Sequence, residues 1–331
     1  MRKLTALLLA LTLLFSLVIA VSADEPADGS TTVTLKKLYT VTGANGEGVF
    51  PHETLTFTCT PDENNPTNDN LTIEGLEVTG TSGNLVINLP DYTKVGQYGY
   101  TISEQAGNAQ GVSYTSQSIT VAVLVSYDAN RQLTAELFLN QKVDGNSSTK
   151  VDTFTNTYEV GHLNVKKVVE GNLASQTAEF DVVVTFTSDK PVLSDITYVD
   201  DTTKTIAYAD GWTVKNNQYT ASATITVKSD ETVRFTNIPV GVTYAIEEDA
   251  KHGLGDDGFN PNSAADTDYT PTYTNQTGTI GAASTVEATI TNTKNTDVPT
   301  GVELDSMPYI LMMTVAVLGM VALVGKKRYE V

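Results

Sequence analysis

Between residues 24 and 300 the apolar positions recur at every second residue, in runs too short for anything but strands. "TTVTL", "TLTFTCT", "NLVINL", "YGYTISE", "SITVAVLVSY", "LTAELFL", "FDVVVTFT", "ASATITVK", "TVRFTNI" and "TYAIEE" are rich in Val, Ile, Thr and Tyr. Gly, Asn, Asp and Pro punctuate them. No long amphipathic helical period stands outside the two ends. The pattern predicts an all-β chain, and the strand spacing suits Ig-like β-sandwich domains.

The same alternation has misfits, and they repeat. Lys37 falls on the face of Val33 and Leu35, and Lys167 on the face of Leu163, Val165 and Val169. Glu104 follows Tyr100 and Ile102, and Glu248 follows Tyr244 and Ile246. Asn156 follows Phe154, and Asn292 follows Ile290. Strands alternate their side chains between two faces, so each half points a Lys, a Glu and an Asn inward. The order is the same twice, at a period of about 130 residues, from "VTLKKLY" (33–39) to "LNVKKVV" (163–169). Two tandem domains are expected, 24–158 and 159–296. They meet near "YEVGH" (158–162), a short connection rather than a floppy linker.

An isolated buried charge is costly, so these groups must pair or neutralise. One reading is a buried salt bridge with an Asn beside it, which often adds little net stability. The other is chemical. A desolvated Lys has a lowered pKa and can act as a neutral nucleophile, and a buried Glu can stay protonated. Such a Glu can donate to the Asn carbonyl, polarise it and shuttle protons. The amine then attacks Cγ, ammonia leaves, and a Lys–Asn amide remains. Each site reacts once and does not turn over, so the chain is not an enzyme in the ordinary sense. Lys36, Lys166 and Glu247 are adjacent alternatives that a β-bulge would swap in.

The two ends read as addresses. "MRK", the apolar "LTALLLALTLLFSLVIA" and the small "VSA" form a secretory signal peptide, 1–23. At the other end "PYILMMTVAVLGMVALVG" (308–325) is long enough to span a bilayer, with the basic "KKRYEV" behind it. Val298, Pro299, Thr300 and Gly301 precede it. In this order, 297–331 resembles the cell-wall sorting signal of Gram-positive surface proteins, in the VPTG variant of some pilins. The resemblance implies a sortase that cuts between Thr300 and Gly301.

Charge and cysteine narrow the classes further. Residues 24–300 hold 15 of the 20 basic and 36 of the 39 acidic residues, a net charge near −21. Nucleic acid is therefore not an expected partner. The single cysteine, Cys59, shares a face with Leu55 and Phe57 and reads as a buried structural thiol. No internal disulfide can form. The histidines His52, His162 and His252 form no motif. The acidic loops 61–70 and 253–268 could suggest calcium, but neither has EF-hand spacing, and no cofactor or metal is expected.

"INLPDYTKVGQYGYTISE" (87–104) and "TNIPVGVTYAIEED" (236–249) resemble the Glu-bearing segments of CnaB-like pilin domains. Two such domains with a VPTG signal resemble a streptococcal-type major, or backbone, pilin. The resemblance spans essentially the whole of 24–300. It implies autocatalytic isopeptide bonds Lys37–Asn156, assisted by Glu104, and Lys167–Asn292, assisted by Glu248. It also implies that a class C sortase joins Thr300 of one subunit to a lysine of the next, so that identical subunits polymerise head to tail. In "GNSSTKVDTFTN" that lysine is Lys150, and Lys142 in "NQKVDG" is the alternative. Ancillary pilins and peptidoglycan are the further implied partners, on the surface of a Gram-positive cell wall. Competing expectations are a wall-anchored adhesin or ancillary pilin that is not polymerised, and a secreted enzyme. The sequence offers the last no nucleophile elbow or metal motif.

Overall fold

The computed structural model describes residues 32–139, 141–144, 147–248, 269–295, 311–318 and 320. Apart from a helical segment at 311–318 they form strands and their connections. Among the described residues no helix is long and apolar enough to cross a membrane. The segment read as a signal peptide, the motif at 298–301, the loop 253–268 and most of the apolar run 308–325 lie outside the described residues.

Each half is a two-sheet sandwich. In the first, the strand Thr32–Thr42 lies between Ser82–Asn88, antiparallel, and the start of Thr153–Glu170, parallel. The facing sheet runs Leu133–Leu139, Ser118–Tyr127, Gly96–Glu104, Phe57–Pro61. Leu35, Leu85, Ile87, Tyr98, Ile102, Val121, Val123 and Phe154 fill the space between them. In the second, the continuation of Thr153–Glu170 lies between Thr232–Pro239, antiparallel, and Thr285–Thr293, parallel. The facing sheet runs Thr213–Lys215, Gln218–Val227, Phe180–Ser188, Thr243–Glu248, Thr277–Thr279. A parallel pair needs a long crossover. Here the crossover is the body of the domain, so the first and last strands of each domain end up side by side.

One 18-residue strand, Thr153–Glu170, therefore closes the first domain and opens the second. Up to Val160 its even-numbered residues are buried, and from Leu163 its odd-numbered ones. The pairing register with Thr232–Pro239 shifts between Gly161 and Leu163, and this bulge changes the parity. Four successive residues, Val160 to Leu163, are buried because loops of both domains cover the strand there. The Val240 N–H donates to Glu159, Ala283 N–H to Val160 and His162 N–H to Ser284. Across the junction Asn45 N–H donates to Asn237 Oδ1 at 2.8 Å, and Asn237 Nδ2 donates back to the Asn45 carbonyl at 3.2 Å. The His52 ring stacks on Tyr208 with centroids 4.2 Å apart. Gly43, at φ +82°, passes so close that a Cβ would sit 2.2 Å from the Val160 carbonyl oxygen.

Cys59 departs from expectation. It lies on the edge strand of its sheet and is only half-buried, since no neighbouring strand covers its outer side. Its desolvation still pushes the thiol up to about 11, which keeps it protonated at neutral pH. In the acidic loop 61–70, Asp62 accepts from the backbone N–H and side-chain amide of Asn64, as a turn-forming Asp does. Among the described residues no group of three or more ligating side chains converges on one point.

Candidate functional site: a buried Lys–Glu–Asn trio in each domain

Parallel pairing brings the first-strand Lys beside the last-strand Asn. Lys37 is opposite Phe154 and Lys167 is opposite Ile290, so in both domains the Asn stands two residues beyond the Lys partner. Two residues along a strand is one step on the same face. The Glu arrives from the facing sheet, on Gly96–Glu104 and Thr243–Glu248. All six side chains are buried, with Asn156, Lys167 and Asn292 fully enclosed. Lys36 and Glu247 point outward, and Lys166 is half-exposed beside Asp230.

In the first trio Glu104 bridges the other two. Its Oε2 lies 3.0 Å from Lys37 Nζ, and its Oε1 accepts from Asn156 Nδ2 at 2.6 Å. The Lys37–Glu104 approach has ion-pair length but not the angles of a hydrogen bond. Burial lowers the Lys37 pKa, with Glu104 and then Glu53 opposing that shift. Lys37 Nζ also stands 4.9 Å above the Tyr39 ring. In the second trio Lys167 Nζ donates to Glu248 Oε2 at 2.5 Å, and Asn292 Nδ2 donates to Glu248 Oε1 at 2.8 Å. Burial brings the Lys167 pKa down to about 8, against the pull of Glu248. Phe180 covers that amine at 4.2 Å, which explains much of the desolvation.

The bridging geometry differs from the sequence expectation in one respect. The expected hydrogen bond ran from a protonated Glu to the Asn carbonyl. In the first domain that carbonyl is already taken, because the backbone N–H of Thr115 donates to Asn156 Oδ1 at 2.9 Å. The amide nitrogen therefore faces Glu104. One carboxylate oxygen addresses the amine and the other addresses the amide nitrogen, an arrangement suited to moving a proton from one to the other. Asn292 Oδ1 has no hydrogen-bond partner among the described residues.

Several neighbours escaped sequence reasoning. Tyr39 donates to Glu53 and receives a long contact from Asn156 Nδ2 at 3.4 Å. Tyr114 donates to the second Glu53 oxygen at 2.6 Å. Tyr39 was findable, two residues beyond Lys37 on the same face. Glu53 and Thr115 lie outside the longer strands, where alternation says nothing. In the second domain the Tyr273 hydroxyl accepts from the Glu248 backbone N–H at 3.1 Å.

Comparison with known proteins matches the two halves to two different family models. Residues 33–159 match the family described as a Spy0128-like isopeptide containing domain. Residues 161–294 match a family described as a domain of unknown function. A pilin from Streptococcus pyogenes serotype M1 is 29% identical over 249 residues, covering 71% of this chain and 69% of its own length. These matches support a pilin of this streptococcal type. The fold is also that of a major pilin protein from Streptococcus pyogenes, at 18% identity and a TM-score of 0.51 over 81% of this chain and 98% of that one. A mutant form of a Streptococcus pyogenes major pilin gives 19% identity and a TM-score of 0.50, over 81% of this chain and 100% of the other.

The lysines weighed for intersubunit linkage both fall on a short hairpin ahead of the shared strand. Lys150 ends Ser147–Lys150, opposite Gln141, and Lys142 pairs with Thr149. The 298–301 motif lies outside the described residues.

Proposed function

We propose that this pilin is the backbone subunit of a covalently polymerised surface pilus, anchored to a Gram-positive cell wall. In this reading each domain closes one internal Lys–Asn isopeptide bond, Lys37–Asn156 and Lys167–Asn292. A pilin sortase joins Thr300 of one subunit to Lys150 of the next. The observation that carries it is the duplicated trio, with the same strand register and a Glu bridging amine and amide in both domains. A salt bridge kept for stability alone would not need the Asn, nor the same three residues twice. Proximity in well-oriented systems is worth roughly 7–11 kcal/mol of barrier, which brings amide exchange within reach of a single slow turnover.

In each trio the Glu contacts both nitrogens that exchange places. Neutral Lys Nζ adds its lone pair to the Asn Cγ. The Cγ–Nδ2 bond then breaks, and ammonia leaves with a proton that Nζ gave up through Glu. Two measurements test the reading. The intact mass of residues 24–300 should fall short of the sequence mass by two ammonia molecules, and a full-mass protein refutes both bonds. Boiled wall extracts should show a high-mass ladder that Lys150→Ala abolishes. A single band in the unaltered strain refutes the polymer and leaves an anchored, unpolymerised surface protein. A ladder that survives Lys150→Ala moves the junction to another lysine, with Lys142 the first to replace.

A further inference from the structure

The Thr115 amide has no part in the chemistry as set out so far. Thr115 belongs to the connection between Val112–Ser113 and Ser118–Tyr127, and it reaches the first trio from outside both sheets. Its own hydroxyl accepts from Gln117 N–H at 3.1 Å, which holds the turn. Tyr114, the residue before it, is pinned by its hydroxyl, which donates to Glu53 at 2.6 Å and accepts from Ala109 N–H at 3.0 Å. The peptide that carries the Thr115 N–H is thus fixed on both sides, and the N–H is aimed at Asn156 Oδ1 at 2.9 Å.

We infer that the Thr115 backbone N–H is the oxyanion-stabilising group for closure of the first-domain bond. This rests on the crosslinking reading above and deepens it. When Lys37 Nζ adds to Asn156 Cγ, the carbonyl π pair moves onto Oδ1, which becomes an alkoxide next to this donor. On collapse the pair returns to re-form the carbonyl, and the Cγ–Nδ2 bond breaks. Nδ2 takes the proton released by Nζ, and the products are a secondary amide and ammonia. Glu104 contacts both nitrogens and not the oxygen, so the two groups divide the work: Glu104 moves the proton and Thr115 holds the charge. A preorganised donor at a developing oxyanion in a dry site is typically worth ~100- to 1,000-fold in rate.

The test removes one N–H and compares the two domains of the same molecule. Cell-free synthesis of residues 24–300 incorporates the α-hydroxy analogue of threonine at 115, making a backbone ester. Samples stopped over time are digested, and crosslinked and open peptides of each domain are counted by mass spectrometry. The expected result is a slowing of the Lys37–Asn156 bond by at least ~10-fold, with Lys167–Asn292 closing at its normal rate. Ordinary threonine supplied at 115 by the same synthesis should close both bonds normally. A folded ester protein that closes the first bond at the unaltered rate overturns the inference. Hydrogen exchange supplies a reading that needs no backbone variant. In Lys37→Ala protein the Thr115 amide should exchange slowly, and adding Asn156→Ala should release it. Equal exchange in the two proteins overturns the inference as well. If the unaltered protein forms neither crosslink, it is the crosslinking reading that has failed, and the exchange experiment still reports on the hydrogen bond.

Discussion

Asn292→Ala removes the carbonyl that Lys167 would attack and leaves the Lys167–Glu248 pair in place. If the bond forms, the unaltered chain is a closed loop from residue 167 to residue 292, and the variant is open. The loop spans about 126 residues, and closing it removes roughly 5 kcal/mol of conformational freedom from the unfolded state. Unfolding entropy is ~2.1 cal/mol/K per residue, or about 0.28 kcal/mol/K for residues 161–294. The crosslink alone then corresponds to a fall in Tm of about 18 °C if the second domain melts by itself, and about 9 °C if both domains melt together. Calorimetric scans of residues 24–300 and of the variant decide it, with intact masses confirming that the variant falls short of its own sequence mass by one ammonia molecule rather than two. A variant that loses only one ammonia yet melts within about 3 °C of the parent refutes the loop-closure reasoning, because even the smaller figure lies well outside scan error.

Glu104→Ala and Glu248→Ala should each retain one ammonia in the intact mass, while Lys36→Ala and Lys166→Ala should retain none; any other pattern reassigns the groups. Closure of the second-domain bond should speed up as pH rises toward about 8 and level off above it, followed by mass after synthesis at fixed pH. The sign follows from burial, which lowers the Lys167 pKa and so makes the reactive neutral amine abundant well below the usual lysine range. A rate independent of pH between 6 and 9 would show that deprotonation of Lys167 is not limiting. Gly43→Ala should cost about 1–3 kcal/mol in denaturant unfolding, because φ +82° disfavours a side chain and the Val160 carbonyl occupies its place. An unchanged midpoint would mean that the junction relaxes without cost.

Strand alternation carried a good deal of this structure. It picked Lys37 over Lys36 and Glu248 over Glu247, because a charged residue in phase with Leu35 or Ile246 has nowhere to point but inward. It also read two sandwiches, since the same order of misfits appears twice. It failed at "YEVGH", where a connection was expected and one strand runs straight through. Four buried residues in succession look like a broken pattern until a bulge and two sets of covering loops are seen together. Thr115 was invisible for another reason. A main-chain donor has no residue type, and only the path of the chain shows where it is aimed. Cys59 was read as buried because its face is apolar, but the pattern does not say whether a strand lies at the edge of its sheet.

The shared strand also decides which part of a subunit stretches. In a filament joined at Lys150 and Thr300, the shortest covalent route runs along 151–167, crosses Lys167–Asn292 and continues along 293–300. The strand stretch is already extended at ~3.3 Å per residue, so it has almost no length left to yield. The 124 residues from 168 to 291 are bypassed and cannot pay out as slack. The first domain sits to one side of that route, joined to it at Asn156. Its bond would bear little pull, and its value would lie in keeping residues 37–156 attached and resistant to proteases. Two chemically alike bonds would then serve different ends, one as a tendon and the other as a clasp.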